Sequence, residues 1–208
     1  MKIIQVEQNS PEWLELRKGK ITGSKLKDIV TLKGNGTKIG FYQLIADRLA
    51  VENTLEEDEE KEHDRGHRLE DEALALFSEM TGKTVTKGGM WISEENENIA
   101  CSPDGSIYEG DIIPEAAEVK CLKSARHIEA LITQEIPSEY TAQKIQYFIL
   151  NEDLQKLYFL FYDPRVTVKP LFWITVNRED IEEEIEFYKD YQNQTLERVN
   201  KIVEELSF

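Results

Sequence analysis

"SPDGSIYEGDIIPEAAEVKC", residues Ser102–Cys121, is the stretch on which the fold turns. Pro103, Asp104 and Gly105 have the composition of a turn. Strand-like runs stand on either side of the link between them, "NIACSPDGSIY" before it and "EAAEVKCL" after it. Period-two alternation puts Glu118 and Lys120 on one face of their strand and Val119 on the other. If "ACSPDG" and "AAEVKC" are neighbouring strands, Asp104 meets that pair. Two carboxylates converging with an exposed backbone carbonyl make a hard oxygen site for Mg²⁺ or Mn²⁺. A lysine beside it orients or helps deprotonate a water and offsets charge developing on a phosphoryl group. The same residues also suit a plain turn and a strand edge. The link containing "YEGDIIPEAA" is long, which leaves the register of Glu118 open.

A chain of 208 residues fits one domain, 1–208, with a core over about 10–175 and a C-terminal helix over about 178–206. Cys101 and Cys121 are too few for a disulfide framework and lack zinc-ligand spacing, so both read as reduced strand residues. The start "MKIIQVEQNSPEW" has no signal-peptide apolar region, and no run approaches the roughly 18 apolar residues of a membrane span. A cytoplasmic protein without membrane contact is the expectation.

The net charge of −16 argues against a nucleic-acid partner only until its distribution is read. Residues 52–64 carry eight acids and one lysine, and residues 179–190 carry seven acids and one lysine. Residues 1–50 hold nine Lys or Arg against five Asp or Glu. The acid is segregated, as a solvated loop and helix face or as a surface that repels DNA from wrong places.

Along the chain, "SPEW" opens a helix over roughly 11–18 with Pro11 in its first turn. A second helix comes after Gly19, capped by Thr22 or Ser24. "KGNGTKIG" reads as a basic loop, "FYQLIADRLAV" as a helix, and the acidic segment as an interruption before the helix "RGHRLEDEALALFSEMTG". "TVTKGGMWIS" reads as a strand, like the two runs around the opening stretch. "SARHIEALI" and "SEYTAQKIQYFILNE" are helical, "KLYFLFYDP" and "PLFWITVN" are aromatic-rich strands, and a last helix runs from about Arg178 toward Leu206. This order predicts an α/β (α+β) domain with a central mixed sheet.

The Asp104, Glu118, Lys120 arrangement resembles the PD-D/ExK nuclease superfamily with its restriction-endonuclease-like core. "WLELRKGKITGSKLKDIV", "RGHRLEDEALALFSEMTGKTV", "ACSPDGSIYEG", "EVKC", "YTAQKIQYFI" and "FYDPR" stand in the order of the blocks of the phage lambda exonuclease and YqaJ-type viral recombinase family, over roughly residues 10–170. The resemblance implies that Asp104, Glu118 and the carbonyl of Val119 bind metal, with Lys120 as catalytic lysine. It implies Glu70 as a helix-borne acid facing the metal, although Asp71 and Glu72 adjoin it, and Gln143 as the glutamine completing the site, with Tyr140 one turn away. Arg17, Ser24 and Ser102 resemble a pocket for a terminal 5′-phosphate, a role a guanidinium and hydroxyls suit independently. Arg17 could instead pair with Glu12 or Glu15. Arg126 matches a family arginine that either binds phosphate or forms a salt bridge.

The activity implied by the resemblance is that of a Mg²⁺-dependent (or Mn²⁺-dependent) 5′→3′ exonuclease with two ions in its active complex. It would degrade one strand of linear double-stranded DNA from a 5′-phosphorylated end, release mononucleotides and leave 3′ overhangs for a single-strand annealing protein. A ring-shaped homotrimer and a phage or prophage origin in a bacterial cell are implied with it. Two alternatives stay open: a structure-specific endonuclease of the same fold, or a non-catalytic DNA-end-binding scaffold. A Cas4-like iron–sulfur nuclease is disfavoured because two cysteines cannot ligate a cluster. His63, His67 and His127 show no zinc spacing and read as surface or structural, while Trp13, Trp91 and Trp173 read as packing residues.

Overall fold

Residues 157–162, LYFLFY, are apolar and buried at consecutive positions, as a strand covered on both faces requires. In the computed structural model this run is an interior strand of the larger of two sheets. The structure describes residues 1–30, 41, 44, 60–122 and 124–207, with 60–68 as backbone only. The loop expected over 33–40, most of the helix expected from Phe41, residues 52–59 and the side chains of His63 and His67 lie outside the described residues.

In chain order the elements are β1 (Lys2–Ile4), α1 (Pro11–Arg17), α2 (Gly23–Leu26), α3 (Glu60–Thr81), β2 (Thr86–Lys87), β3 (Met90–Ile92), β4 (Ala100–Cys101), β5 (Gly105–Glu109), β6 (Ile112–Lys120), α4 (Ser124–Thr133), a 3-10 turn (Ser138–Tyr140), α5 (Thr141–Leu150), β7 (Lys156–Tyr162), β8 (Leu171–Asn177), a second 3-10 turn (Arg178–Asp180) and α6 (Glu182–Leu206). Helix α1 starts as its sequence demands: Ser10 accepts from the Trp13 N–H, and Pro11 fills the first turn. Helix α3 begins earlier than expected. Residues 60–64 of the acidic stretch belong to it rather than to a loop, consistent with the helix preference of Glu and Lys.

The expected central mixed sheet is present, and a second, smaller sheet accompanies it. β1-β3-β4 form a small antiparallel sheet, and β2-β5-β6-β7-β8 form the larger one, mixed because β6 and β7 run parallel. Two stretches that read as single strands each divide between the sheets. "TVTKGGMWIS" breaks at Gly88 and Gly89, whose φ of 81° and 92° suit glycine and turn the chain from one sheet into the other. "NIACSPDGSIY" breaks at Ser102–Asp104, between β4 and β5.

Side-chain alternation sorts the larger sheet into two packed faces. Ala117, Val119, Tyr158, Leu160 and Leu171 meet Leu69, Ala73, Leu74 and Phe77 of α3. Ala116, Leu157, Phe159, Phe161 and Phe172 face the other way, into the core that includes Ile145, Tyr147 and Phe148 of α5 and Ile185, Tyr188, Leu196 and Val199 of α6. Trp91 is buried in this core, and Trp173, partly buried, stands edge-on to Phe77. Cys101 and Cys121 are not joined in a disulfide.

Candidate active site

The link that obscured the register of Glu118 is an antiparallel hairpin. β5 and β6 pair with Gly105 opposite Ala117, and the chain reverses around Gly110 and Asp111. Asp104, one residue before β5, therefore arrives beside Glu118, one residue after Ala117. Its Oδ2 accepts the backbone N–H of Val119 at 2.7 Å. Asp104 and Glu118 are 6% and 3% exposed, a degree of burial that carboxylates reach only with partners.

Glu118 and Lys120 point to the α5 face and Val119 to the α3 face, as alternation requires. Glu118 Oε1 accepts from Lys120 Nζ at 2.7 Å and from Gln143 Nε2 at 2.5 Å. Its Oε2 accepts a short hydrogen bond from the Tyr147 hydroxyl. Tyr147 lies one helical turn beyond Gln143 and carries no mark in the sequence, where it reads as one more apolar-face aromatic. Tyr140, expected within the helix, ends the 3-10 turn preceding α5, and the Lys120 ammonium sits 4.8 Å from its ring centroid. Gln8 is a second residue unmarked by sequence; its amide reaches Asp104 Oδ1 at 3.4 Å.

Burial, then the charges of Glu118 and Glu70, push the Asp104 carboxyl well above the usual carboxylate range, against the pull of Lys120 and the Val119 N–H. Burial draws the Lys120 ammonium down, but Glu118 and Asp104 outweigh it and hold it above its ordinary value. Burial also raises the Tyr147 hydroxyl, with Glu118 next, so it stays a proton donor.

Three adjacent acids on α3 are separated by their surroundings. Asp71 pairs with Lys87, Glu72 accepts from the Tyr162 hydroxyl at 3.1 Å, and Glu70 is the one whose charge acts on Asp104. Among the described residues no group of three or more His, Cys, Asp or Glu is gathered closely enough to hold an ion. Asp104 and Glu118 are the carboxylates that could hold a divalent cation, with Glu70 nearby. A set of few protein oxygens is what Mg²⁺ accepts when waters and phosphate oxygens complete its shell.

Arg17, Ser24 and Ser102 come together through residues that carry no site signal in the sequence. The backbone of Ile21 bridges to Asn98 and Ala100, which brings the α1–α2 link to the start of β4. Arg17 Nη2 donates to Thr22 Oγ1 at 3.2 Å and Ser24 Oγ at 3.0 Å, not to Glu12 or Glu15. Neither hydroxyl caps α2 as expected: Thr22 is at the N-cap position without a side-chain cap bond. The guanidinium lies 4.1 Å from the Trp13 ring centroid, and Trp13 Nε1 donates to Ser102 Oγ at 3.1 Å. Trp13 thus packs α1 and also joins the two halves of the pocket. Burial pulls the Arg17 guanidinium below its ordinary value, while Tyr147, Cys101 and Glu118 hold it up. Arg126 lies apart from this cluster, bonded to Glu129 at 2.7 Å and to both oxygens of Glu139 at 3.0 and 3.1 Å.

The family model of the YqaJ-like viral recombinase domain matches residues 12–150. Among solved structures, an alkaline exonuclease from Laribacter hongkongensis is 27% identical with a TM-score of 0.78, covering 95% of this chain and 96% of its own. The same enzyme in complex with dAMP aligns at 23% identity and a TM-score of 0.75, over 95% and 98% of the two chains. A phage-related exonuclease from Haemophilus somnus 129PT shares the fold at 17% identity and a TM-score of 0.57, over 90% and 96%. No curated protein matches this chain significantly.

Proposed function

Because the chain belongs to the YqaJ-like viral recombinase family, and is a nuclease of that kind, we propose that it is a 5′→3′ exonuclease on linear double-stranded DNA. The observation that carries this reading is the β5–β6 hairpin, which sets buried Asp104 against Glu118 and leaves Lys120 beside them. A binding module has no use for two buried acids next to DNA phosphate.

Asp104 and Glu118 would hold Mg²⁺ or Mn²⁺, with Glu70 and the Val119 carbonyl adding to a set that serves two ions. When bound, such cations polarise the phosphodiester and lower the pKa of water. The protein's own part is orientation and charge. Tyr147 and Gln143 fix the Glu118 carboxylate, and Lys120, held charged, orients a water and offsets charge building on the phosphoryl oxygens. Water oxygen bonds to phosphorus in line as the bond to the 3′-oxygen breaks, which frees a 5′-mononucleotide. The shortened strand then ends in a new 5′-phosphate.

Arg17 grips that terminal phosphate with Ser24 and Ser102, and Thr22 steadies the guanidinium. Its half-buried charge is met here by neutral hydroxyls, which leaves an anion to complete the pairing. Tyr140 and Arg126 belong to the DNA-binding surface in this reading. The complex of the Laribacter enzyme with dAMP agrees with a mononucleotide product. The surviving strand is a 3′ overhang suited to a single-strand annealing protein, and the basic N-terminal part of an otherwise acidic chain suits a ring-shaped homotrimer around duplex DNA. No helix among the described residues is long and apolar enough to cross a membrane. A phage or prophage protein acting in the bacterial cytoplasm fits these features.

The test is digestion of linear duplexes bearing 5′-phosphate or 5′-hydroxyl ends, beside a closed circle, in Mg²⁺ or in EDTA. Mg²⁺-dependent loss of the linear phosphorylated duplex, sparing the circle, is expected. Cutting of the circle would point to an endonuclease, and silence throughout to a DNA-end-binding scaffold.

A further inference from the structure

The turn after β7, Asp163–Lys169, is braced at both ends. Asp163 is 1% exposed, and its two oxygens are occupied: Oδ1 accepts from the Arg165 backbone N–H at 3.0 Å and from Arg165 Nε at 2.7 Å, while Oδ2 accepts from Arg165 Nη2 at 2.9 Å and Ser124 Oγ at 2.6 Å. At the other end the Lys169 carbonyl accepts from His127 Nε2 at 2.9 Å, and the His127 ring stands edge-on to Phe172 at 5.0 Å. A carbonyl can only accept, so this bond fixes the proton on Nε2.

The turn lies at the edge of the sheet where the candidate active site is. β6 and β7 are parallel, with Lys120 opposite Phe161, so both chains leave the sheet on one side. Ser124 is four residues past Lys120, which bounds the Cα separation of the two to about 15 Å. On an axial rise of about 3.4 Å per base pair, that is within about four steps of duplex.

Arg165 uses one edge of its guanidinium on Asp163. Its side chain is 49% exposed, and among the described residues no acceptor takes Nη1. Lys169 is exposed as well. Residues 163–169 thus carry two cations and one acid in a chain of net charge −16. A loose surface pair would contribute little. A fork held by a buried aspartate, however, has already lost the freedom that phosphate binding would otherwise remove.

We infer that Arg165 and Lys169 form a second contact point for DNA phosphates, separate from the Arg17 pocket, with Asp163, Ser124 and His127 as positioning residues. The inference rests on the nuclease reading above. The backbone contact holds the duplex strand near Lys120 and carries no base preference.

The experiment is fluorescence anisotropy of the full chain with a labelled 5′-phosphorylated blunt duplex in EDTA, over a NaCl series. Lys169→Ala should make the log–log salt slope shallower by roughly 0.9, and Arg165→Ala combined with Lys169→Ala by roughly 1.8, with affinity at low salt about tenfold weaker in the double variant. Lys156→Ala, at the opposite end of β7, should leave the slope unchanged. A loss of fold alone does not move a salt slope in steps of one contact, and Lys169→Ala removes only an exposed side chain. Unchanged slopes in the Arg165 and Lys169 variants, or an equal change in Lys156→Ala, would overturn the inference while leaving the nuclease intact. Failure of the unaltered chain to bind the duplex would remove both readings.

Discussion

Asp104 Oδ2 accepts the Val119 N–H at 2.7 Å, and this bond between the loop before β5 and the far end of β6 forces two buried acids into one another's field. A divalent cation held between them would relieve that repulsion. At about 100 times its dissociation constant, Mg²⁺ should stabilise the fold by about 2.7 kcal/mol. Each kcal/mol raises Tm by about 2–4 °C in a chain of this size. Asp104→Asn keeps an acceptor for Val119 but loses the charge. It should melt no lower than the unaltered chain in EDTA and show no Mg²⁺ shift, which differential scanning calorimetry reads directly.

Lys120 touches Glu118 and the Tyr140 ring, away from Arg17 and its hydroxyls. Lys120→Ala should lower kcat by about 10²–10³-fold, the size of a lost charge-stabilising donor. Duplex affinity measured in EDTA should stay near that of the unaltered chain. Undiminished turnover would take the lysine out of the mechanism.

Arg17→Ala removes the cation from the cluster it forms with Thr22, Ser24 and Ser102. The preference for 5′-phosphate over 5′-hydroxyl ends should shrink by about 1–3 kcal/mol, since charge-assisted hydrogen bonds are lost. Competition between the two end types in one reaction measures the ratio. If the ratio holds in the variant, the terminal phosphate is gripped elsewhere.

Gly105 follows Asp104 where a side chain has no room. A Cβ there would stand 2.4 Å from Val85 Cγ1 and 3.2 Å from Leu74 Cδ2, and the β-branched Val85 is stiff. Gly105→Ala should cost about 1–3 kcal/mol in urea unfolding, as overpacking does. Its neighbour gives the contrast: Ser106 Oγ is buried without a hydrogen-bond partner, so Ser106→Ala should be neutral or stabilising.

Asp163 is held well below the usual carboxylate range, first by the Arg165 hydrogen bonds, against burial, with Ser124 and the Arg165 N–H adding to the pull. A carboxyl depressed in the folded state contributes stability in full above its unfolded value of about 4, and loses it as pH falls toward the folded value. Asp163→Asn should therefore be less stable at pH 7, by about 1.5–3 kcal/mol for charge-assisted bonds. The gap to the unaltered chain should narrow below about pH 4. Parallel denaturation curves at both pH values would show it, and a pH-independent gap would count against the ion pair.

Much of this is legible in the residues. β7 declares itself because a strand covered on both faces needs an unbroken apolar run, β8 by its aromatic-rich stretch, and α1 because Ser10 and Pro11 fit one end only. The shared face of Glu118 and Lys120 follows from alternation alone. The division into two sheets does not, because β2 and β4 are two residues each, too short to carry a period. Nor does sequence distinguish Glu70 from Asp71 and Glu72, since only packing assigns the other two to Lys87 and Tyr162. Thr22 and Ser24 have the chemistry of helix caps, but a guanidinium five to seven residues upstream claims both hydroxyls. Tyr147 hides because one aromatic serves a core and, by its hydroxyl, a carboxylate.

β6 is an interior strand whose parallel neighbour, β7, lies after α4 and α5 in the chain. β7, with Gln143 and Tyr147, therefore leaves the ribosome after the acids and the lysine have done so. A nascent chain stopped before residue 140 holds those charged groups but not the scaffold that aligns them. On the proposed site, cutting competence would wait for the strand and helix made later, and products truncated ahead of them should be inert toward DNA.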